Sequence, residues 1–212
     1  MSEHEYSLLG GFNRARIGRY LTLIAASVSA GVVFVLLTIV DVAKQLGVPA
    51  NLPPTILSLA GASAVFSALY WVFDRHVWRW PPLARLLKVP DLSGDWNCSG
   101  QSLGPDGRPT FSWQGTISIA QSWDKLRVRL RTDQSGSNSI TAALVSDELD
   151  GYRLLYNYRN EPRIGETQLK AHLGFADLLF NKKATSAEGE YFNGHGRFTF
   201  GTMRLTRIEH GK

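Results

Sequence analysis

Trp113, Tyr156, Tyr158 and Tyr191 fall, by the alternation of the sequence around them, on one side of their segments, and Arg159, Arg163, Asn193, His195 and Arg197 lie close by in the chain. Flat aromatic rings stack on nucleobases, and guanidinium groups fork onto phosphate oxygens through paired hydrogen bonds. That combination suits a nucleotide ligand. The expected contact set is Trp113, Tyr156, Tyr158, Arg159, Tyr191, Asn193 and Arg197. A plainer role fits the same residues, since aromatic rings inside a β-domain are ordinarily core and arginines at its rim are ordinarily solvated.

Catalytic chemistry would need more than this. His172, His195 and His210 lack metal-ligand spacing, no G-x-S-x-G elbow occurs, and no paired-acid motif stands out. Gly194-His195-Gly196 has the composition of a turn, not of a phosphate cradle. The lone Cys98 forms no internal disulfide and suits a reducing cytoplasm as a small core residue. The chain is expected to be a receptor and not an enzyme, with no catalytic residue, metal or cofactor.

Residues that act together must be brought together, and from Asp91 onward the pattern is that of β-strands. Leu126-Arg-Val-Arg-Leu-Arg131 and Met203-Arg-Leu-Thr-Arg207 alternate apolar and polar positions, and β-branched or aromatic residues recur between turn clusters. Eight strands are predicted, at about 92–99, 111–122, 125–132, 138–147, 151–159, 167–178, 187–193 and 198–208. Connections after the second, fourth and sixth strands are mostly tight. Those after the odd strands are longer or richer in Gly and Arg, notably Gly100 to Thr110 and Asn160 to Glu166. In an up-and-down antiparallel barrel, odd and even connections gather at opposite ends, so one end is closed and the other is a loop-lined mouth. Eight strands leave room inside for side chains or one small ligand.

Gly94-Asp-Trp96 resembles the opening strand of lipocalin-type barrels. That likeness implies that Trp96 plugs the closed end and that an arginine of the last strand covers it. Arg207, which shares the parity of Met203 and Leu205, is the expected cover.

The first part of the chain has a different solvent. Tyr20 to Val40 and Thr55 to Phe73 each run about 20 residues without a charge, enough helix to cross a hydrocarbon core of about 30 Å. Val28-Ser29-Ala30 has the look of a signal-peptidase site, but the apolar run continues past it to Val40. Neither stretch carries the polar stripe expected of a helix with one face in water. Arg14, Arg16 and Arg19 precede the first span and Arg75, Arg79, Arg85 and Lys88 follow the second, with only Lys44 between. The positive-inside rule places both termini in the cytoplasm and the Asp41 to Pro54 loop outside. Trp71, Trp78 and Trp80 mark the end of the second span as an interface. Small residues at i+4 spacing, Ala60/Ala64/Ala68, Ala26/Ala30 and Ser27/Gly31, offer faces for close helix packing, within a chain or between copies. No acid or base lies within either span, which argues against a transporter or a pore made by one copy.

The expected layout is a cytoplasmic segment at 1–19, a two-helix hairpin at 20–73, a linker at 74–90 broken by Pro81-Pro82, and a cytosolic barrel at 91–212. Net charge follows it. The chain carries +5, but residues 1–90 hold eight Lys/Arg against four Asp/Glu, while residues 91–212 hold fifteen against fourteen. The basic excess belongs to topology, and no DNA or RNA polymer is expected as a partner.

Pro90-Asp-Leu-Ser-Gly-Asp-Trp96, Gly189-Glu-Tyr-Phe-Asn193 and Gly201-Thr-Met-Arg-Leu-Thr-Arg207, behind two spans and a short linker, resemble one bacterial group. These are the two-transmembrane, β-strand-rich effectors associated with CD-NTases in CBASS anti-phage operons. The resemblance covers nearly the whole chain and rests more on architecture than on long motifs. It implies that a phage-activated nucleotidyltransferase makes a cyclic di- or oligonucleotide, which the barrel binds. The protein would then form a homo-oligomer in the bacterial inner membrane, disrupt the bilayer and kill the cell. The contact residues given above come from strand parity and not from this likeness. A membrane-tethered, lipocalin-like carrier of an apolar molecule and a scaffold using the barrel's outer wall are the rival readings.

Overall fold

The computed structural model describes residues 3–11, 14–47, 54–147, 149–167, 169–194 and 197–209, without the side chains of 54–62. They fall into two compact units, one of residues 12–78 and one of residues up to Gly11 and from Arg79 onward.

In the first unit, helix α1 (Arg14–Gln45) packs on helix α2 (Pro54–Arg75). α1 is the one helix among the described residues long and apolar enough to cross a membrane. It continues through Asp41, which sequence placed in the loop. Three of its hydroxyls fold back onto carbonyls one turn earlier, Thr22 onto Gly18, Ser27 onto Leu23 and Thr38 onto Phe34, at 2.9–3.0 Å. Self-satisfied hydroxyls suit a helix in lipid, where no water is available to them. The residues of α1 that are buried are Ala25 and Ser29, whereas Ala26, Ser27, Ala30 and Gly31 are exposed. The packed face is therefore a small-residue i+4 pair one position away from those expected. Ala60 lies among the side chains outside the description.

The second unit is one sheet of nine strands that closes on itself. Strands β2 (Gly94–Leu103), β3 (Pro109–Gln121), β4 (Lys125–Arg131) and β5 (Ser135–Asp147) run consecutively with β6 (Gly151–Pro162), β7 (His172–Phe180), β8 (Ser186–Asn193) and β9 (Phe200–Arg207). Each pairs antiparallel with its neighbour in sequence, and β9 pairs back to β2. The eight expected strands are all present. The ninth was not expected.

This extra strand, β1 (His4–Leu9), comes from the segment ahead of the first helix. β4 and β5 pair over Arg129–Arg131 and Gly136–Asn138, and β5 shifts register between Ser139 and Thr141. Beyond that point β1 fills the gap, antiparallel to Lys125–Leu126 and parallel to Ala142–Val145. Tyr6 is buried there and donates to the Ser122 carbonyl at 3.3 Å, while His4 Nε2 lies 2.6 Å from the Ser139 hydroxyl.

Pro81-Pro82 does not merely break a helix. It opens a short one, α3 (Pro81–Leu87), with proline in the first turn, where a missing N–H costs nothing. Lys88 then caps α3 in the left-handed region at φ 55°.

The closed end is built as the G-x-W likeness implied. Trp96 is fully buried, its indole N–H donates to the Leu92 carbonyl at 3.1 Å, and Phe180 meets its ring edge-on at 5.1 Å. The Arg207 guanidinium sits 5.1 Å from the ring centroid and donates to the carbonyls of Asp91, Ala184 and Ser93. A cation over an indole face, with its N–H groups satisfied by carbonyls, makes a rigid plug. Above it, Ile117, Leu126, Leu144, Leu154, Leu178 and Leu205 fill the barrel's lower half.

Candidate ligand-binding site

The upper half is hollow. A cavity of about 350 Å³ opens beneath the long connections, within the range of small-ligand pockets. Six of the seven expected contact residues line it: Trp113 from β3, Tyr156 and Tyr158 from β6, Tyr191 and Asn193 from β8, and Arg197 from the β8–β9 connection.

Arg159 is the exception. Successive residues of a strand face opposite sides, and with Tyr158 turned inward Arg159 is exposed on the outer wall. Arg163 also stays out of the lining; its guanidinium donates to the Thr132 carbonyl at 2.8 Å and its N–H to that of Gln134 at 2.9 Å, tying down the β4–β5 turn. His195 lies outside the described residues.

The aromatic residues are held by hydrogen bonds. Trp113 Nε1 donates to the Tyr191 hydroxyl at 3.1 Å, and that hydroxyl lies 2.8 Å from Ser102 Oγ on β2. The two rings meet edge to face, 5.7 Å between centroids at 70°. Across the cavity, Tyr158 donates to Asn193 Oδ1 at 2.8 Å, and Asn193 Nδ2 donates to Thr199 at 2.8 Å. Burial pushes the Tyr158 phenol up, with further upward pressure from Tyr191 and a partly offsetting pull from Arg197. Burial does the same to Tyr156. Both are neutral donors at physiological pH. Cys98, lower in the barrel, is pushed up by burial to about 12 and is an inert thiol.

The remaining wall is polar in a way that the sequence hid. Ser102, Ser135, Ser137, Asn160 and His172 all line the cavity. Asn160 Nδ2 donates to Ser135 at 3.2 Å, and His172 Nδ1 donates to the Lys170 carbonyl at 2.8 Å. The β5 bulge explains the omission of the serines: it reverses inside and outside along one strand, so Ser135 and Ser137 face in although Ala142 and Leu144 set the opposite parity. Among the described residues no cluster of His, Cys, Asp or Glu could hold a metal ion.

Stacking surfaces, hydroxyls, amides and one guanidinium are what a nucleotide requires, and the pattern of relatives agrees. Residues 87–207 match the family model described as the Cap15 cyclic dinucleotide receptor domain, and residues 15–79 match that of the Cap15 TM helices. The chain is 41% identical to CD-NTase-associated protein 15 of Yersinia aleksiciae over 210 residues, 99% of this chain and 100% of the relative. It is 26% identical to CD-NTase-associated protein 15 of Staphylococcus schleiferi over 140 residues, 65% of this chain and 71% of the relative. The resemblance drawn from the architecture and the three short motifs is thus confirmed: the chain belongs to the Cap15 family of CBASS-associated proteins, with a cyclic dinucleotide receptor domain behind a transmembrane region.

Proposed function

We propose that this protein is the membrane effector of an anti-phage CBASS system. The barrel binds a cyclic di- or oligonucleotide made by a CD-NTase, through Trp113, Tyr156, Tyr158, Tyr191, Asn193 and Arg197. Binding drives the apolar helices, acting as a two-span hairpin over residues 20–73 with both termini cytoplasmic, to assemble in the inner membrane. The assembly disrupts the bilayer, and the infected cell dies.

One observation carries this reading: within a domain matched to cyclic dinucleotide receptors, the cavity walls pair aromatic rings with hydroxyl, amide and guanidinium groups. That wall disfavours the apolar-carrier alternative, because an apolar occupant offers no donor to Asn160 Oδ1, which is buried without a hydrogen-bond partner. The protein acts by binding and assembly, with no reaction of its own.

The coupling needs the assembled state to bind ligand more tightly than the dispersed one. A difference of about 3 kcal/mol shifts the equilibrium roughly 150-fold. Titrating the purified full-length protein with cyclic dinucleotides while following particle size should give saturable binding and growth of the oligomer together. Saturable binding with no change in size sinks the coupling.

A further inference from the structure

Two of the cavity's rings lie where a neighbouring strand has no side chain. Trp113 pairs in register with Gly100 of β2, and Tyr158 with Gly174 of β7. A Cβ built on Gly100 falls on the Trp113 ring, 2.6 Å from Cη2 and nearer still to Cε2 and Cζ2. One built on Gly174 lies 2.5 Å from the Tyr158 hydroxyl oxygen and 2.6 Å from Cε2. Real Cβ atoms do not approach that closely, so each ring lies across bare backbone and occupies the space of the missing side chain. A ring laid down in this way covers the wall with one face and leaves the other to the interior.

Other glycines of the sheet differ in kind. At Gly189 an added Cβ meets the Asp177 backbone, and at Gly201 that of Gln101 before it reaches the Tyr191 hydroxyl. Those positions serve strand approach. Gly100 and Gly174 serve the rings.

We propose that Gly100 and Gly174 are positioning residues for ligand recognition: by letting Trp113 and Tyr158 lie flat against the barrel wall, they keep the cavity open and turn one aromatic face of each toward the ligand. The proposal rests on the reading of the cavity as a nucleotide site, and two ring faces supply stacking platforms for the two bases of a cyclic dinucleotide. An alanine at either position pushes the ring off the wall and into the space the ligand takes. The indole is rigid and has little room to adjust. The phenol end of Tyr158 moves more easily, at the expense of its bond to Asn193.

The test uses the full-length protein in detergent micelles, with cyclic di-GMP, cyclic di-AMP and mixed purine–pyrimidine cyclic dinucleotides as probes. Gly100→Ala and Gly174→Ala are expected to weaken binding of whichever probe the unaltered protein takes by about tenfold or more, the equivalent of about 1.4 kcal/mol. Gly136→Ala, whose Cβ makes only an ordinary contact 3.7 Å from the Leu130 carbonyl oxygen, is expected to leave affinity unchanged. A second arm needs no ligand. The fall in Tm caused by Gly100→Ala should shrink when Trp113→Phe removes the part of the ring it strikes, the non-additivity of a direct contact. Folded Gly100→Ala and Gly174→Ala proteins with unaltered affinity overturn the proposal, as does strict additivity with Trp113→Phe. If the unaltered protein takes none of the probes, the reading of the cavity as a site for a purine-containing cyclic dinucleotide fails, and the thermal cycle still decides whether Gly100 positions the ring.

Discussion

Arg197 is the one arginine or lysine among the described residues that line the cavity, yet a cyclic dinucleotide brings two phosphates. The remaining donors are uncharged, among them the hydroxyls and amides of Ser102, Thr132, Ser135, Ser137, Asn160 and Asn193. Such donors recognise phosphate oxygens by geometry and contribute less than a guanidinium, whose charge-assisted bonds are roughly twice as strong. Replacing Arg197 by glutamine should therefore cost about 1.5–3 kcal/mol of binding, or roughly 10- to 150-fold in affinity, with Tm little changed. Titration calorimetry at two salt concentrations checks this. An Arg197→Gln protein with full affinity removes the mouth as the phosphate site. The aromatic part of this site was legible in the sequence because rings at period-2 spacing stand out from polar neighbours. Arg159 was misjudged because its position along β6 suits the mouth while its face does not.

Among the elements, β1 carries the least obvious duty. It plugs the gap left where β4 and β5 part beyond the bulge, and without it the barrel has two unpaired edges, a known liability of β-sheets. Tyr6 is its anchor, buried and within 3.4 Å of Gln121 Nε2 and 3.3 Å of the Ser122 carbonyl. Tyr6→Ala should destabilise the barrel by about 3–5 kcal/mol through cavity formation, read as a fall in Tm of the full-length protein. A change within experimental error would show that β1 is ornamental to the sheet. Sequence could not reveal this strand: six residues of mixed polarity between Glu3 and Gly10 carry no strong alternation, and four of their six pairings are parallel and far away in sequence. The other eight strands were legible because each is long enough for inside and outside to alternate several times. Trp96 and Arg207 were legible as a pair through the likeness of Gly94-Asp-Trp96 to lipocalin-type barrels, with strand parity then picking out Arg207 as the cover.

On the scale of the molecule, the chain joins two parts made for different solvents. α1 is a long apolar helix whose Thr22, Ser27 and Thr38 hydroxyls are satisfied by its own backbone, while the barrel is nearly neutral in charge and lines its cavity with polar groups. β1 and α1 are separated by only a few residues, so a strand of the receptor leads directly into the first apolar helix. Under the proposed function, the receptor domain decides when the helices act. Release of a trapped dye from liposomes of bacterial inner-membrane lipids carrying the full-length protein tests this most directly. The account predicts a tight bilayer until the cognate cyclic dinucleotide is added, then release that saturates with ligand and shifts to higher ligand concentrations in the Arg197→Gln protein. Release of equal extent without any nucleotide, or saturating ligand binding with the liposomes still sealed, would contradict it.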